Sequence, residues 1–118
     1  MTLNHVSLET RRDDVEAEVA FWALVGFDQV QPPPGLRSAA AWMARDGTQI
    51  HLLYADDPVV MPRGHAAVVV ADYDATVGRL RDAGLEVRPT EAHWGAARAF
   101  VQTPAGHRVE VMAAPPPP

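Results

Sequence analysis

The sequence predicts an α+β fold made of two tandem β-α-β-β-β units. Three observations carry that prediction: landmark residues recur at one offset, two helical stripes separate runs of strand character, and a glycine stops each helix. His5 and His65 lie 60 positions apart, Gly26 and Gly84 58, Gly47 and Gly106 59, and His51 and Glu110 59. Val19 and Trp22 fall opposite Val77 and Leu80 at an offset of 58. Chance does not set so many landmarks within two residues of one spacing, and a repeat of this length is one supersecondary unit used twice.

The elements follow in order. Residues 2–8 (TLNHVSL) begin a strand, with apolar and β-branched residues from the start. Asp13 or Asp14 is placed to cap a helix, and Val15, Val19 and Trp22 run along one face of it at spacings of four and three. Gly26 ends it. Residues 27–30 read as a short strand, and Pro32 to Gly35 as a loop. Residues 38–44 and 48–54 make two strands joined at Asp46-Gly47, the dipeptide that favours a tight hairpin.

The second unit repeats the first. Residues 65–71 (HAAVVVA) form a strand, Asp72 or Asp74 caps a helix carrying Val77 and Leu80, and Gly84 stops it. Residues 85–88 make a short strand, Pro89 to Gly95 a loop, and residues 97–103 and 107–112 the last two strands. Pro115 to Pro118 have no N–H to give a sheet and read as a disordered tail. The expected organisation is therefore a single domain over 1–114, with repeats at about 2–54 and 64–112.

Composition bounds the function. The 118 residues are 47% hydrophobic and 21% charged, the balance of a globular domain with one core. Ten Lys and Arg against 15 Asp and Glu give a net charge of -5, without the basic footprint that nucleic acid or an anionic membrane selects. Neither partner is expected. No apolar run approaches the length of a membrane helix, and the start MTLNHVSLETRRDD lacks the pattern of a signal peptide. The expected location is the cytoplasm. With no Cys, thiolate nucleophiles and thiolate-bound metals are excluded, so a metal site must draw on the five His and on carboxylates.

Strand alternation adds geometry. His5 shares a face with Leu3 and Ser7, and His51 with Gln49 and Leu53. Glu110 sits between Val109 and Val111, which can pack under a helix while the carboxylate points the other way. His65 is less defined, since Ala and Val occupy both faces of its strand. The run Asp13, Asp14, Glu16 and Glu18 reads as a solvated helix start in favourable contact with the helix dipole.

The segments LNHVSL, VGFD, RDGTQIHLL, GHAAVVV and TPAGHRVEVM together give the chain a resemblance to the vicinal oxygen chelate superfamily over residues 2–112. That superfamily includes glyoxalase I, bleomycin-resistance proteins, fosfomycin-resistance enzymes, methylmalonyl-CoA epimerase and extradiol dioxygenases. The resemblance implies that each unit curls into half of an open, mixed-sheet, barrel-like structure with a metal in the cleft. It also implies ligands from the first and fourth strands of each unit, places held here by His5, His51, His65 and Glu110. Imidazole nitrogen and carboxylate oxygen suit one divalent ion per cleft, whether Ni, Co, Mn, Zn or Fe.

With open coordination positions, such an ion takes a small-molecule substrate through two neighbouring oxygens. The implied chemistry is that of a lyase, isomerase or epimerase passing through an enediolate-type species, with Glu110 as ligand and base. Glyoxalase I itself fits less well, because His51 stands where a carboxylate is common there. Two alternatives stay open. His5, His65 and Glu110 form the two-His, one-carboxylate set of an Fe(II) ring-cleaving dioxygenase, although those enzymes usually carry two duplicated domains. A non-catalytic drug-binding protein of bleomycin-resistance type would instead stack Trp42 and Trp94 on its ligand, and the HWGAARAF segment is similar to a stretch in those proteins. Fosfomycin-type transfer lacks its longer anion-binding loop here.

Trp42 and Phe100, on matching third strands, either line the substrate pocket or pack in the core. Arg98 either meets an anionic substrate or is a surface residue. His93 reads as a solvated loop residue and His107 as a turn residue. The resemblance implies a homodimer, with each cleft made by one chain or by two.

Overall fold

The duplication reappears as two sheets of the same topology in a computed structural model that describes residues 2–118. The chain divides into two compact units, one reaching Val60 and the other starting at Met61. The first contains β1 (His5–Thr10), α1 (Val15–Leu24), β2 (Asp28–Val30), β3 (Ala40–Arg45) and β4 (Thr48–Tyr54). Its sheet runs β1-β4-β3-β2. β1 and β4 are parallel, and the other neighbours are antiparallel. The second contains β5 (Ala66–Val69), α2 (Tyr73–Asp82), β6 (Val87–Thr90), β7 (Arg98–Gln102) and β8 (Arg108–Met112), in the matching order β5-β8-β7-β6. Both sheets are open, each with two edge strands. Pro89 lies in β6, an edge, where its missing N–H costs the least.

Local chemistry accounts for the breaks. Asp46 and Gly47 both take positive φ, +47° and +82°, as a two-residue hairpin turn needs. Gly84 closes α2 with φ +85°, a conformation in which a Cβ would crowd the backbone. Asp72 caps α2 by accepting a hydrogen bond from the Ala75 N–H at 3.0 Å. Asp14 makes no such bond. A 3-10 turn over Arg12–Asp14 leads into α1 and replaces the side-chain cap expected there.

The core of each unit is the inner face of its sheet with one stripe of its helix. In the first unit, Met43, Ile50 and Leu52 are buried with Phe21 and Trp22, and Trp22 meets Phe21 and Phe27 edge-on at 5.2 and 5.5 Å. In the second, Leu80 stands where the repeat has Trp22, buried with the small side chains Ala99, Val101, Val109 and Val111.

Several expectations shift. The buried stripe of α1 is Glu18, Phe21 and Trp22, continued by Val25 just past its end, while Val15 and Val19 are half-buried. Glu18 is fully buried, so the acidic helix start is not solvated throughout. Its repeat counterpart Thr76 is also buried, which marks this as a polar position of the fold. His65 lies one residue before β5 and not inside a strand. Pro115 to Pro118 are exposed and belong to no helix or strand. No helix among the described residues is long and apolar enough to cross a membrane.

Candidate functional site

In the first unit the hairpin sets the site. A two-residue turn pairs residues equidistant from it, which places Trp42 directly opposite His51. Their rings stack at 4.0 Å with only 3° between planes. His5, on the parallel neighbour β1, stacks on His51 at 4.0 Å and 17°. The imidazole of His51 is therefore held in a three-ring ladder spanning three strands. Its Nε2 lies 2.7 Å from the Gln49 side-chain oxygen, two residues back on the same face. Burial and the neighbouring His5 charge, in that order, hold the His51 pKa below the usual imidazole value. A neutral imidazole is the form that binds a metal.

In the second unit Glu110 is buried on β8 while Val109 and Val111 fill the opposite, core face, as alternation requires. Both carboxylate oxygens are engaged. Arg98 donates from Nε to Oε2 at 3.0 Å and from Nη1 to the Glu91 carbonyl at 3.0 Å. Oε1 faces His65 Nε2 at 3.2 Å. The other nitrogen of His65, Nδ1, lies 2.9 Å from the Arg63 carbonyl, which can only accept, so Nδ1 carries a proton. If His65 is neutral, its Nε2 lone pair points at a carboxylate oxygen. Two acceptors this close need a proton or a cation between them.

That arrangement is the test of fit for a divalent ion. In the second unit, Nε2 of His65 and Oε1 of Glu110 are adjacent N and O donors on which an ion can replace a proton. In the first unit the donor types fit but the stack does not aim them at one point, because an ion in the plane of one imidazole lies outside the parallel plane of the other. His5, exposed at the start of β1, also has its Nδ1 2.8 Å from the Asn4 side-chain oxygen. Among the described residues no group of three or more His, Asp or Glu converges. The structure thus brings together His5 with His51, and His65 with Glu110, as two pairs.

The remaining predicted residues surround these pairs. Phe100 is the direct cross-strand partner of Glu110 and meets His65 edge-on at 5.1 Å. Arg98 is bound to Glu110 and largely buried, so the surface reading of this residue does not hold. Its guanidinium carbon also lies 5.3 Å from the ring of Trp94, whose Nε1 donates to the Ala114 carbonyl at 3.0 Å. Trp42 backs His51. His93 is exposed, 3.6 Å from Glu91. His107 is buried in the turn between β7 and β8, where its N–H donates to Thr103 Oγ1.

Sequence reasoning missed Gln49 as the partner of His51 and Arg98 as the partner of Glu110. Strand alternation put Gln49 on the His51 face, which is the signal for the first. The second is a diagonal contact across β7 and β8, where Arg98 pairs with Met112 and Phe100 with Glu110.

The profile of the Glyoxalase/Bleomycin resistance protein/Dioxygenase superfamily matches residues 2–111. No curated protein matches the sequence. Among solved structures, the chain is similar to a glyoxalase family protein from Bacillus anthracis, with 24% identity, a TM-score of 0.84, and 95% and 93% of the two chains covered. It is similar to the lactoylglutathione lyase of Agrobacterium tumefaciens at 20% identity and a TM-score of 0.70, covering 94% and 92%. The fosfomycin resistance protein FosX of Listeria monocytogenes aligns at 14% identity and a TM-score of 0.75, covering 98% and 94%. At these identities the likeness is one of fold.

Proposed function

Because the chain belongs to the Glyoxalase/Bleomycin resistance protein/Dioxygenase superfamily, we propose that it is a divalent-metal-dependent enzyme acting on a small molecule with two neighbouring oxygens. The reaction class is that of a lyase, isomerase or epimerase. The supporting observation is the facing of His65 Nε2 and Glu110 Oε1 at 3.2 Å with His65 Nδ1 bound to a carbonyl. The ion would be held by His5, His51, His65 and Glu110, and would supply a Lewis acid that draws negative charge onto a substrate oxygen.

The chain's own residues supply the rest. Arg98 holds Oε2 and so keeps Oε1 turned to His65. Glu110 is the only carboxylate of the set, and the transferred proton is assigned to it. Trp42 and Gln49 fix the His51 ring in position. The drug-binding alternative has less support, because one face of Trp42 is covered by His51 and Trp94 is tied through Nε1. The reading carries with it a cytoplasmic homodimer.

Metal uptake tests the proposal. Protein stripped by a chelator is titrated separately with Ni(II), Co(II), Mn(II), Zn(II) and, without oxygen, Fe(II). At least one ion should bind to saturation, and His65→Ala or Glu110→Ala should abolish it. Absence of uptake for all five overturns the reading in favour of a metal-free ligand-binding protein. Oxygen consumption by the Fe(II) form with a catechol would replace the lyase reading with the dioxygenase one.

A further inference from the structure

The second unit carries a cleft of about 590 Å³ whose lining includes Glu86, Arg88, Thr90, Phe100, Gln102 and Arg108. Its charge is unbalanced toward the positive side, with two Arg against one Glu. Arg88 spends Nε and Nη2 on the two oxygens of Glu86, both at 3.1 Å, so those two charges answer each other. Arg108 has no such partner. Among the described residues none of its guanidinium N–H groups meets an acceptor and no carboxylate lies within ion-pair distance. Its guanidinium carbon sits 3.9 Å from the centre of the Phe100 ring. That stacking orients the planar group by one face and leaves its N–H edge available, which is how a guanidinium is set to grip an anion with two parallel bonds.

Arg108 also has a fixed relation to the pair of the second unit. It stands two residues before Glu110 on β8, on the same face, which is roughly 7 Å along the strand. Phe100, the ring under Arg108, is the direct cross-strand partner of Glu110. Thr90 and Gln102 add polar side chains to the same lining.

We infer that Arg108 is the recognition residue for an anionic group, a carboxylate or a phosphate, on a small organic ligand lying along β8. Resting on the function proposed above, the ligand is the substrate, and its anionic end lies a few bonds from the carbon that Glu110 serves. Arg108 reads charge and does no chemistry.

The test uses metal-free full-length protein, followed by NMR as glutarate, inorganic phosphate or neutral glutaramide is added. Glutarate should cause saturable shifts at Arg108 Nε–H and at the Gln102 and Thr90 signals, with glutaramide inert. Saturation by phosphate and not glutarate also supports the site and identifies phosphate as its group. Arg108→Gln should weaken binding at least about tenfold, the loss of a charge-assisted pair. If that variant does not fold, Arg108→Lys decides, and it should weaken binding severalfold because it keeps the charge and loses the fork. The inference is overturned by equal binding of glutaramide, by no saturable shift with either anion, or by wild-type affinity in a folded variant. Zn(II) titration of the same samples separates the two proposals: loss of anion binding with metal uptake intact condemns only the anion site, and the reverse condemns only the metal reading.

Discussion

A buried carboxylate must be answered, and Glu110 is answered twice, by the fixed charge of Arg98 and by a histidine. Arg98 cannot lose its proton, so it neutralises Oε2 permanently. Oε1 then faces His65 Nε2 at 3.2 Å. The opposite case is His51, for which burial and then the neighbouring His5 charge disfavour the charged form. Its folded pKa lies below the ordinary 6.5, so between the two values the unfolded chain binds more protons than the folded one. The His51 contribution to stability is then full above about pH 6.5 and is lost as pH falls through the folded value. Urea midpoints of metal-free protein between pH 7.5 and 5 should fall with acid, and His51→Phe, which keeps a ring against Trp42, should flatten the slope. An unchanged slope in a folded variant would show that His51 does not set it.

At the scale of the element, the two helices look alike in sequence and differ at their first turn. Both begin after aspartates, yet only Asp72 accepts a backbone bond, from Ala75, while the 3-10 turn at Arg12–Asp14 takes that role before α1. Asp72→Ala should therefore cost about 1 kcal/mol in urea unfolding, whereas Asp14→Ala should stay within about 0.5 kcal/mol. Equal costs would mean the caps are equivalent after all. The strands and their order of occurrence were legible because glycines and an Asp-Gly turn punctuate them. The pairing of Trp42 with His51 was also legible in principle, since the turn at Asp46-Gly47 counts out the register of β3 against β4. The burial of Glu18 was not, because an apolar stripe search passes over a charged residue that lies on the buried face. Nor was the stacking of His5 on His51, since the crossover joining parallel strands fixes no register that can be counted from a turn.

For the whole molecule, duplication has distributed the four candidate residues evenly. Each repeat holds two of the four residues singled out from the sequence, at places related by the common offset, and each repeat forms a sheet of the same strand order. The relation of these residues to one another was visible in sequence because they sit on repeat-related positions. The second-unit arrangement was not, since the proton on His65 Nδ1 is fixed by a backbone carbonyl and the Glu110 orientation by a diagonal contact. Two protein donors hold a borderline divalent ion weakly, and sites that retain one usually supply three or four. A metal held as proposed takes donors from both repeats, supplied by one chain or by two. Binding should then saturate near one ion per chain and not two. The double variant His5→Ala/His51→Ala should lose uptake as fully as His65→Ala/Glu110→Ala, although each leaves the other pair intact. Calorimetric titration with Zn(II) and elemental analysis of the loaded protein give both numbers. Two ions per chain, or undiminished uptake in either folded double variant, would mean that one repeat binds metal by itself and that the duplication serves something other than the site.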